Sequence, residues 1–211
     1  MRKGSFSSLI LHLHPTFVPE GSARVRFTWC LGGLSLLMFC LEALSGVYLM
    51  LHYVPVSADA YLSVADTTYI VPYGFFVRNL HYWCGQAMVI LVVLHMARVF
   101  LTGSYSGVRS FNWVIGVLLL GATFLVDFTG YLLVWDDRGL WARTIAVNLL
   151  ATIPAIGDSV GALFLGSPAA PDGGIVRIYV WHAFFLPVAM IALMAWHFWR
   201  IRKDGGISRP L

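Results

Sequence analysis

Two apolar stretches carry the strongest indication of how this chain folds: HYWCGQAMVILVVLH at residues 81–95 and HAFFLPVAMIALMAWH at residues 182–197. Each begins and ends with histidine, and the paired histidines stand 14 residues apart in the first stretch and 15 in the second. An α-helix rises about 1.5 Å and turns about 100° per residue, so fourteen steps separate two side chains by about 21 Å and leave them within about 40° of one face. The spacing predicts two helices that each present imidazoles at two depths.

The composition indicates a membrane protein. Of the 211 residues, 59% are hydrophobic and 11% are charged, and the mean hydropathy is +0.77. A soluble domain has roughly 25% charged residues. Aromatic residues make up 15% of the chain, which suits an interfacial belt and the walls of a pocket for a large planar cofactor. The formal net charge of +4 reflects membrane topology, and no nucleic-acid partner is expected.

Four apolar stretches are long enough to cross a bilayer, which needs roughly 20 residues per helix. They cover, in chain order, residues 27–53, 74–102, 111–134 and 176–199. The long connection after the third span is moderately hydrophobic and is broken at Pro154. It predicts short amphipathic helices at residues 136–165 that lie on the membrane surface.

We expect residues 27–203 to form one four-helix domain, between a cytoplasmic segment at residues 1–26 and a cytoplasmic tail at residues 204–211. Ten of the fourteen Lys and Arg residues fall on the side of the two termini, and four fall on the opposite side. Basic residues near span ends stay on the cytoplasmic side, so both termini are expected there. The N-terminus shows no pattern of a cleaved secretory signal.

The histidines predict an all-α, transmembrane four-helix bundle with two haems b stacked between the second and fourth spans. Ionisable residues inside a membrane are costly and usually functional. Both spans run in the same direction, so His81 and His182 would ligate the outer haem iron, and His95 and His197 the inner one. Iron held by two imidazoles has no open coordination position, so these haems would pass electrons.

Glycines repeat at the same interval in the other two spans. Gly32 and Gly46 lie 14 residues apart in the first span, and Gly116 and Gly130 lie 14 apart in the third. Because glycine lets another group approach the backbone closely, we expect these positions to admit the haem edges. Ordinary packing of small residues is the alternative for any single glycine.

Several motifs in the chain point to a known family. They are Cys30-Leu-Gly-Gly33, Arg78-Asn-Leu-His81, His95-Met-Ala-Arg98, Tyr105 with the loop after it, Thr129-Gly-Tyr131, Ile153-Pro-Ala-Ile-Gly157, His182, and the ending from His197-Phe-Trp-Arg-Ile-Arg-Lys203 to Pro210-Leu211. Together they resemble cytochrome b of the quinol-oxidising Rieske/cytochrome b complexes, in the short split form called cytochrome b6. The spacing of 15 residues between the histidines of the fourth span is also similar to that of the split form, whereas the spacing in mitochondrial-type proteins looks like 14.

The resemblance implies a third haem, attached covalently as haem c through Cys30. The chain has no Cys-x-x-Cys-His motif, so ordinary c-type attachment is excluded, and a small apolar role for Cys30 is the alternative. Arg78 and Arg98 are similar to family arginines that meet haem propionates, and Arg202 matches a residue near the third haem. Snorkelling at the membrane interface is the alternative for the first two arginines.

The resemblance also implies a quinol-oxidising pocket on the outer side. Its lining residues would be Asp127, Trp135, Asp137, Gly139 and Trp141.

The chain departs from its relatives around that pocket. Val134 stands where the family usually has proline, and Asp137 where b6-type proteins often have glutamine. Inside the spans, Asp127 replaces a small residue and Glu42 replaces a common glutamine. An intramembrane carboxyl group is either neutral or a proton relay, and we expect Asp127 to handle protons.

The function implied is that of an electron-transfer subunit of a quinol:electron-acceptor oxidoreductase. Electrons from an outer quinol site would pass the two b haems and the Cys30 haem to an inner quinone site, coupled to proton translocation. The sequence ends where the split form ends, so the expected partners are a subunit IV-like membrane protein, a Rieske iron–sulfur protein and a c-type cytochrome, in a homodimeric complex. The expected location is a bacterial inner membrane, with a thylakoid as the other possibility.

Two other classes share some of these features. A di-haem b anchor of a hydrogenase or formate dehydrogenase complex also has four spans and paired histidines, but it would carry no haem on Cys30. A transporter or channel would use the histidines as a proton or ion path, and it would show no haem absorption.

Overall fold

The computed structural model describes residues 28–166 and 171–204. The segment at residues 1–26 and the tail beyond Asp204, both expected to be cytoplasmic, lie outside this part. Within it the chain is helical and without strands. The helices are α1 (Leu31–Met50), α2 (Ala60–Tyr69), α3 (Gly74–Leu101), α4 (Ser110–Leu132), α5 (Asp137–Ala151), α6 (Gly157–Leu165), α7 (Pro171–Val180) and α8 (Leu186–Lys203).

Four helical stretches are long and apolar enough to cross a membrane, which confirms the predicted all-α transmembrane architecture. They are Leu31–Met50, Gly74–Leu101, Gly107–Leu132 and Asp172–Lys203. The third begins with a short 3-10 turn, and the fourth joins α7 to α8 through the turn Trp181–Phe185. Large apolar side chains such as Leu44 and Val47 are exposed on these helices, as expected where lipid is the neighbour.

The first span is shorter than the sequence predicts. It begins at Leu31 and not at residue 27, because Trp29 and Cys30 both have φ of +53°, a left-handed conformation that cannot continue a right-handed helix. The fourth span is longer than predicted at both ends, since α7 and α8 are joined without a break.

Helix α2 was not predicted from the sequence. Its pattern is inverted relative to a surface helix: Ser63 and Thr67 are buried, while Tyr61 and Tyr69 are more than half exposed. The buried hydroxyl groups are satisfied locally, because Thr67 Oγ1 donates to the Ser63 carbonyl at 2.7 Å. Ser63 Oγ also accepts from the Val54 N–H at 3.1 Å, which fixes the chain entering the helix.

Two compact units divide the long helices between them. The first, called the His81 unit, comprises Met38–Ala87 and Phe124–Val188. The second, called the His95 unit, comprises the described parts of Met1–Leu37, Met88–Thr123 and Ala189–Leu211. Each unit contains one segment of every spanning stretch, and each contains one histidine from α3 and one from the fourth span.

The His81 unit has a buried apolar core. Its members are Ala60, Leu132, Leu133, Trp135, Leu165, Ile175 and Ile178. Helices α5 and α6 lie where short surface helices are predicted, with the break at Pro154. Asp136 caps α5 by accepting from the Gly139 N–H at 2.8 Å, and Arg143 closes α6 by donating to the carbonyls of Leu165 and Gly166.

Candidate functional site

Two of the paired histidines face each other in the His81 unit. The ring centres of His81 on α3 and His182 on the fourth span are 6.2 Å apart, with 75° between the ring planes. Two imidazoles bonded to opposite sides of one metal at about 2.0–2.1 Å, with roughly 1.1 Å from nitrogen to ring centre, have centres about 6.2–6.4 Å apart. The separation therefore fits one iron held between the two rings.

Each glycine of the 14-residue repeat lies against one of the four histidines. β-Carbons built on the glycines would meet the imidazole Cε1 atoms at these distances: Gly46 to His81 3.3 Å, Gly130 to His182 2.7 Å, Gly32 to His95 3.2 Å and Gly116 to His197 3.8 Å. In the structure each of these glycines therefore faces one imidazole ring, and their expected contact with haem edges stays a prediction.

The Nδ1 atoms of the facing pair are both engaged in hydrogen bonds. His182 Nδ1 lies 2.9 Å from the Val126 carbonyl oxygen and 3.2 Å from Thr129 Oγ1. A carbonyl can only accept, so His182 donates from Nδ1, and its Nε2 is left with a lone pair for a metal. His81 Nδ1 has different partners: it lies 2.9 Å from Ser45 Oγ and 3.0 Å from Glu42 Oε2.

A wide turn explains how 15 residues in the fourth span can match 14 in α3. Trp181–Phe185 forms a π turn, in which the Leu186 N–H donates to the Trp181 carbonyl five residues earlier. Pro187 follows, and its ring would clash with the Ala183 carbonyl in a regular helix, so a widened turn relieves the clash. A π turn takes up one extra residue, and the helix after it presents the same faces as it would without that residue. His182 and His197 therefore lie on the helix faces that a spacing of 14 α-helical residues would give them.

The second pair lies in the His95 unit. His95 and His197 are both half-buried, and each faces one glycine of the repeat, Gly32 and Gly116 respectively. Arg98 follows His95 by three residues, about one helical turn, and Arg78 precedes His81 by the same interval in the other unit. Both arginines are half-buried, as expected for side chains that reach from a helix end.

The thiol of Cys30 is exposed, just before α1 begins. Its backbone is fixed by the positive φ and by a hydrogen bond from its N–H to Thr28 Oγ1 at 3.3 Å. All three cysteines are free: Cys40 is exposed on α1, and Cys84 is buried. Arg202 lies half-buried near the end of α8, in the same unit as Cys30.

The residues predicted to line a quinol pocket occupy different environments. Trp135 is 8% exposed and has φ of +56°, and the Arg143 guanidinium lies 5.9 Å from its ring centre. Gly139 is also buried, against the Asp136 carboxylate. Asp137 and Trp141 are exposed on α5, and Trp141 is 70% exposed.

Asp127, the fifth predicted lining residue, belongs to a polar cluster with Glu42 and Gln86 that residue spacing alone does not indicate. A β-carbon built on Gly85 would lie 3.7 Å from Asp127 Oδ1 and 3.6 Å from Glu42 Oε1, so both carboxyl groups face the same glycine. Gln86 Nε2 donates to Asp127 Oδ1 at 3.4 Å. One signal could have located Glu42: it precedes Gly46, which faces His81, by four residues and so shares its helix face.

No set of three or more His, Cys, Asp or Glu side chains within residues 28–166 and 171–204 is arranged to hold a bare metal ion. Two imidazoles with ring centres 6.2 Å apart, each facing a glycine, are instead the kind of ligand pair that an iron porphyrin needs. The chemistry of the donor set therefore fits haem.

Comparisons with known proteins agree with this geometry. Residues 18–205 match the family model described as Cytochrome b/b6/petB. The chain is 37% identical over 201 residues to the menaquinol:cytochrome c reductase cytochrome b subunit of Geobacillus thermodenitrificans, covering 95% of this chain and 89% of that one. It is 38% identical over 188 residues to cytochrome b6 of Synechocystis sp. (strain ATCC 27184 / PCC 6803 / Kazusa), covering 89% of this chain and 84% of that one.

A solved structure, a chain of the "Hyperthermophilic respiratory Complex III", is similar with a TM-score of 0.77 and 25% sequence identity. The match covers 87% of this chain and 49% of that one, so the present chain spans about half the length of the solved one.

Proposed function

Because the chain belongs to the cytochrome b/b6 family, we propose that it carries electrons across the membrane as the b6-type subunit of a quinol:cytochrome c reductase complex. The observation that supports this most strongly is the His81–His182 pair, whose 6.2 Å separation suits one iron. His81 and His182 would hold the outer haem b, and His95 and His197 the inner one. When bound, such haems exchange single electrons, because bis-histidine iron has no position open to substrate.

The surrounding side chains fix the ligands in place. Val126 and Thr129 hold the ring of His182 through Nδ1, and this selects the tautomer whose Nε2 can bind iron. The glycine recesses keep each ring from being displaced by a neighbouring side chain. Arg78 and Arg98 would pair with haem propionates, since a fixed positive charge makes a partly buried carboxylate tolerable.

Two histidine variants and one control test this assignment in membranes that contain the complete complex. His81→Leu and His182→Leu should each remove one of two protohaems, measured as pyridine haemochrome per complex. His52→Leu should keep both, because His52 follows α1, contacts Tyr48 and has no partner histidine at the 14- or 15-residue spacing. A wild-type complex without protohaem in this subunit would refute the proposal.

The exposed thiol of Cys30 supports a third, covalently bound haem c at the start of α1. Arg202, in the same unit, would pair with one of its propionates. A denaturing gel stained for haem peroxidase activity tests this, since haem b is lost on denaturation. The stain should disappear in Cys30→Ser and persist in Cys40→Ser, which removes the other exposed thiol of the chain. Equal staining in both variants would contradict the assignment.

Quinol oxidation is proposed on the outer side, next to Trp135 and α5, and Asp127 would handle protons there. The proposed partners are a subunit IV-like membrane protein, a Rieske iron–sulfur protein and a c-type cytochrome, in a dimeric complex whose cycle moves protons outward. Both termini would face the cytoplasm of a bacterial inner membrane. Asp127→Asn tests the proton role: an unchanged quinol oxidation rate and pH profile would remove it.

A further inference from the structure

The contacts of Ser45 fix the direction of the hydrogen bond at His81. Ser45 Oγ lies 2.6 Å from the Leu41 carbonyl oxygen, which can only accept, so the serine hydroxyl donates its one proton there. Towards His81 the hydroxyl oxygen must therefore accept, and His81 Nδ1 must carry a hydrogen. That N–H is shared between Ser45 Oγ at 2.9 Å and Glu42 Oε2 at 3.0 Å. Nε2 of His81 is then the nitrogen left for iron.

The carboxyl contact distinguishes His81 from the other three predicted ligands. Among the described residues, the pair of a predicted ligand and an acid within 4 Å is His81–Glu42, so His95, His182 and His197 contact no acid there. His182, the partner ring of His81, contacts the neutral Val126 carbonyl and Thr129 hydroxyl. The two imidazoles on one iron would therefore have hydrogen-bond acceptors of different charge, a carboxyl group for His81 and neutral oxygens for His182.

The surroundings of Glu42 favour a strong interaction with His81. The Glu42 side chain is 15% exposed and that of His81 is 23% exposed, so little water can screen the contact. The second acid of the cluster, Asp127, faces Gly85 beside Glu42, but its Oδ1 already accepts from Gln86 Nε2 at 3.4 Å. An intramembrane carboxyl group without an imidazole donor is expected to be neutral, and two carboxylates this close in an apolar setting repel each other, so the pair holds one negative charge. That charge is placed on Glu42, which has the imidazole N–H of His81 at 3.0 Å to stabilise it.

We propose that Glu42 is a positioning residue that lowers the redox potential of the outer haem. This inference rests on the proposed ligation by His81 and His182. A carboxylate that accepts the Nδ1–H of a metal-bound imidazole makes that imidazole more basic and a stronger electron donor. A stronger donor stabilises ferric over ferrous iron, so the outer haem holds its electron less tightly. The electron is then given up more readily to the next carrier.

Glu42→Gln tests the proposal, since glutamine has nearly the same shape and lacks the charge. Both haems are titrated optically in the complete complex, and protohaem content is measured on the same samples. The outer haem should become easier to reduce by at least tenfold in equilibrium constant, which is about 59 mV for one electron. The inner haem should not change. The low-temperature EPR signal of the ferric outer haem should also move, because the ligand field of His81 weakens.

Two neighbouring substitutions serve as controls. Ser45→Ala removes the neutral acceptor of the same N–H, and Asp127→Asn removes the other carboxyl group of the cluster. Neither should raise the outer potential by as much as Glu42→Gln. The proposal is overturned if Glu42→Gln keeps both haems at unchanged potentials, or if Ser45→Ala produces the same shift. A wild-type complex without two protohaems would instead defeat the ligation proposal itself.

Loss of the outer haem in Glu42→Gln would call for two further measurements. Glu42→Asp keeps the charge on a shorter side chain, so it should restore haem binding with a potential close to wild type. In the wild-type complex, infrared difference spectra of outer-haem reduction should contain a carboxylate band that shifts with ¹³C-labelled glutamate. The band should be present in both the oxidised and the reduced state, because Glu42 stays ionised in both. Absence of such a band, or restored haem in Glu42→Asp at the raised potential, would overturn the proposal.

Discussion

Deleting Phe184 from the π turn should leave both haem-binding faces of the fourth span intact. The turn Trp181–Phe185 contains one residue more than a regular helix needs, and Phe184 is 58% exposed, so its side chain contributes little packing. Removal of one residue would convert the π turn to an α turn and leave His182 and His197 14 positions apart instead of 15. The two rings should then keep the relation they have in the intact chain.

The size of the effect follows from helix geometry. Fifteen regular α-helical steps would rotate His197 by about 100° beyond the position that fourteen give, and at a side-chain radius of about 5–6 Å the ring would move by about 8 Å. That displacement is several times a metal–imidazole bond of about 2 Å. If the π turn takes up the extra residue of the fourth span, deletion of Phe184 leaves the two rings aligned. If the span were a regular helix, the same deletion would misalign them.

Deletion of Ile90 provides the matched control. Ile90 is 59% exposed and lies between His81 and His95 in α3, a regular helix without a wide turn. This deletion should rotate His95 by about 100° relative to His81 and remove one haem. Haem content and the two optical redox transitions are measured in purified complexes. Loss of a b haem in the Phe184 deletion, at the level seen for the Ile90 deletion, would falsify the reasoning.

Three other predictions concern single contacts. Gly130→Ala should lose the outer haem, because the new β-carbon would lie 2.7 Å from His182 Cε1. The control Gly121→Ala should keep both haems, because its β-carbon would meet nothing within 4 Å, and equal haem content in the two variants would contradict the prediction. Arg143→Leu should destabilise the His81 unit by about 1.5–3 kcal/mol through loss of its bonds to the Leu165 and Gly166 carbonyls, measured by thermal unfolding against the exposed Arg138→Leu. Burial lowers the pKa of Arg143, but a guanidinium stays charged in proteins, so the loss should be the same at pH 6 and pH 8, and a pH-dependent loss would count against it. Asp136→Ala should cost about 0.5–2 kcal/mol by removing the cap of α5, with Asp136→Asn milder; equal unfolding temperatures for wild type and Asp136→Ala would show that the cap is dispensable.

Local patterns carried much of the fold. The apolar runs predicted four spanning helices, and the stretch broken at Pro154 predicted one or two short helices, because length, hydropathy and helix breakers act within one segment. The ends of the spans were less predictable. Positive φ at Trp29 and Cys30 shortened the first span, and no residue preference announces a left-handed tryptophan. Helix α2 escaped prediction since its buried face is polar.

The residues that lie at two depths are evident from the linear chain: histidines repeat at about fourteen residues in two helices, and glycines repeat at fourteen in two others. Periodicity along one helix is a local property, so it can be counted without a structure. Contacts across helices, such as Gly130 with His182 and Glu42 with His81, depend on how the folded helices pack. The rotation and height of each helix are set by packing against its neighbours, and the π turn before Pro187, which aligns a 15-residue spacing with a 14-residue one, is part of that packing.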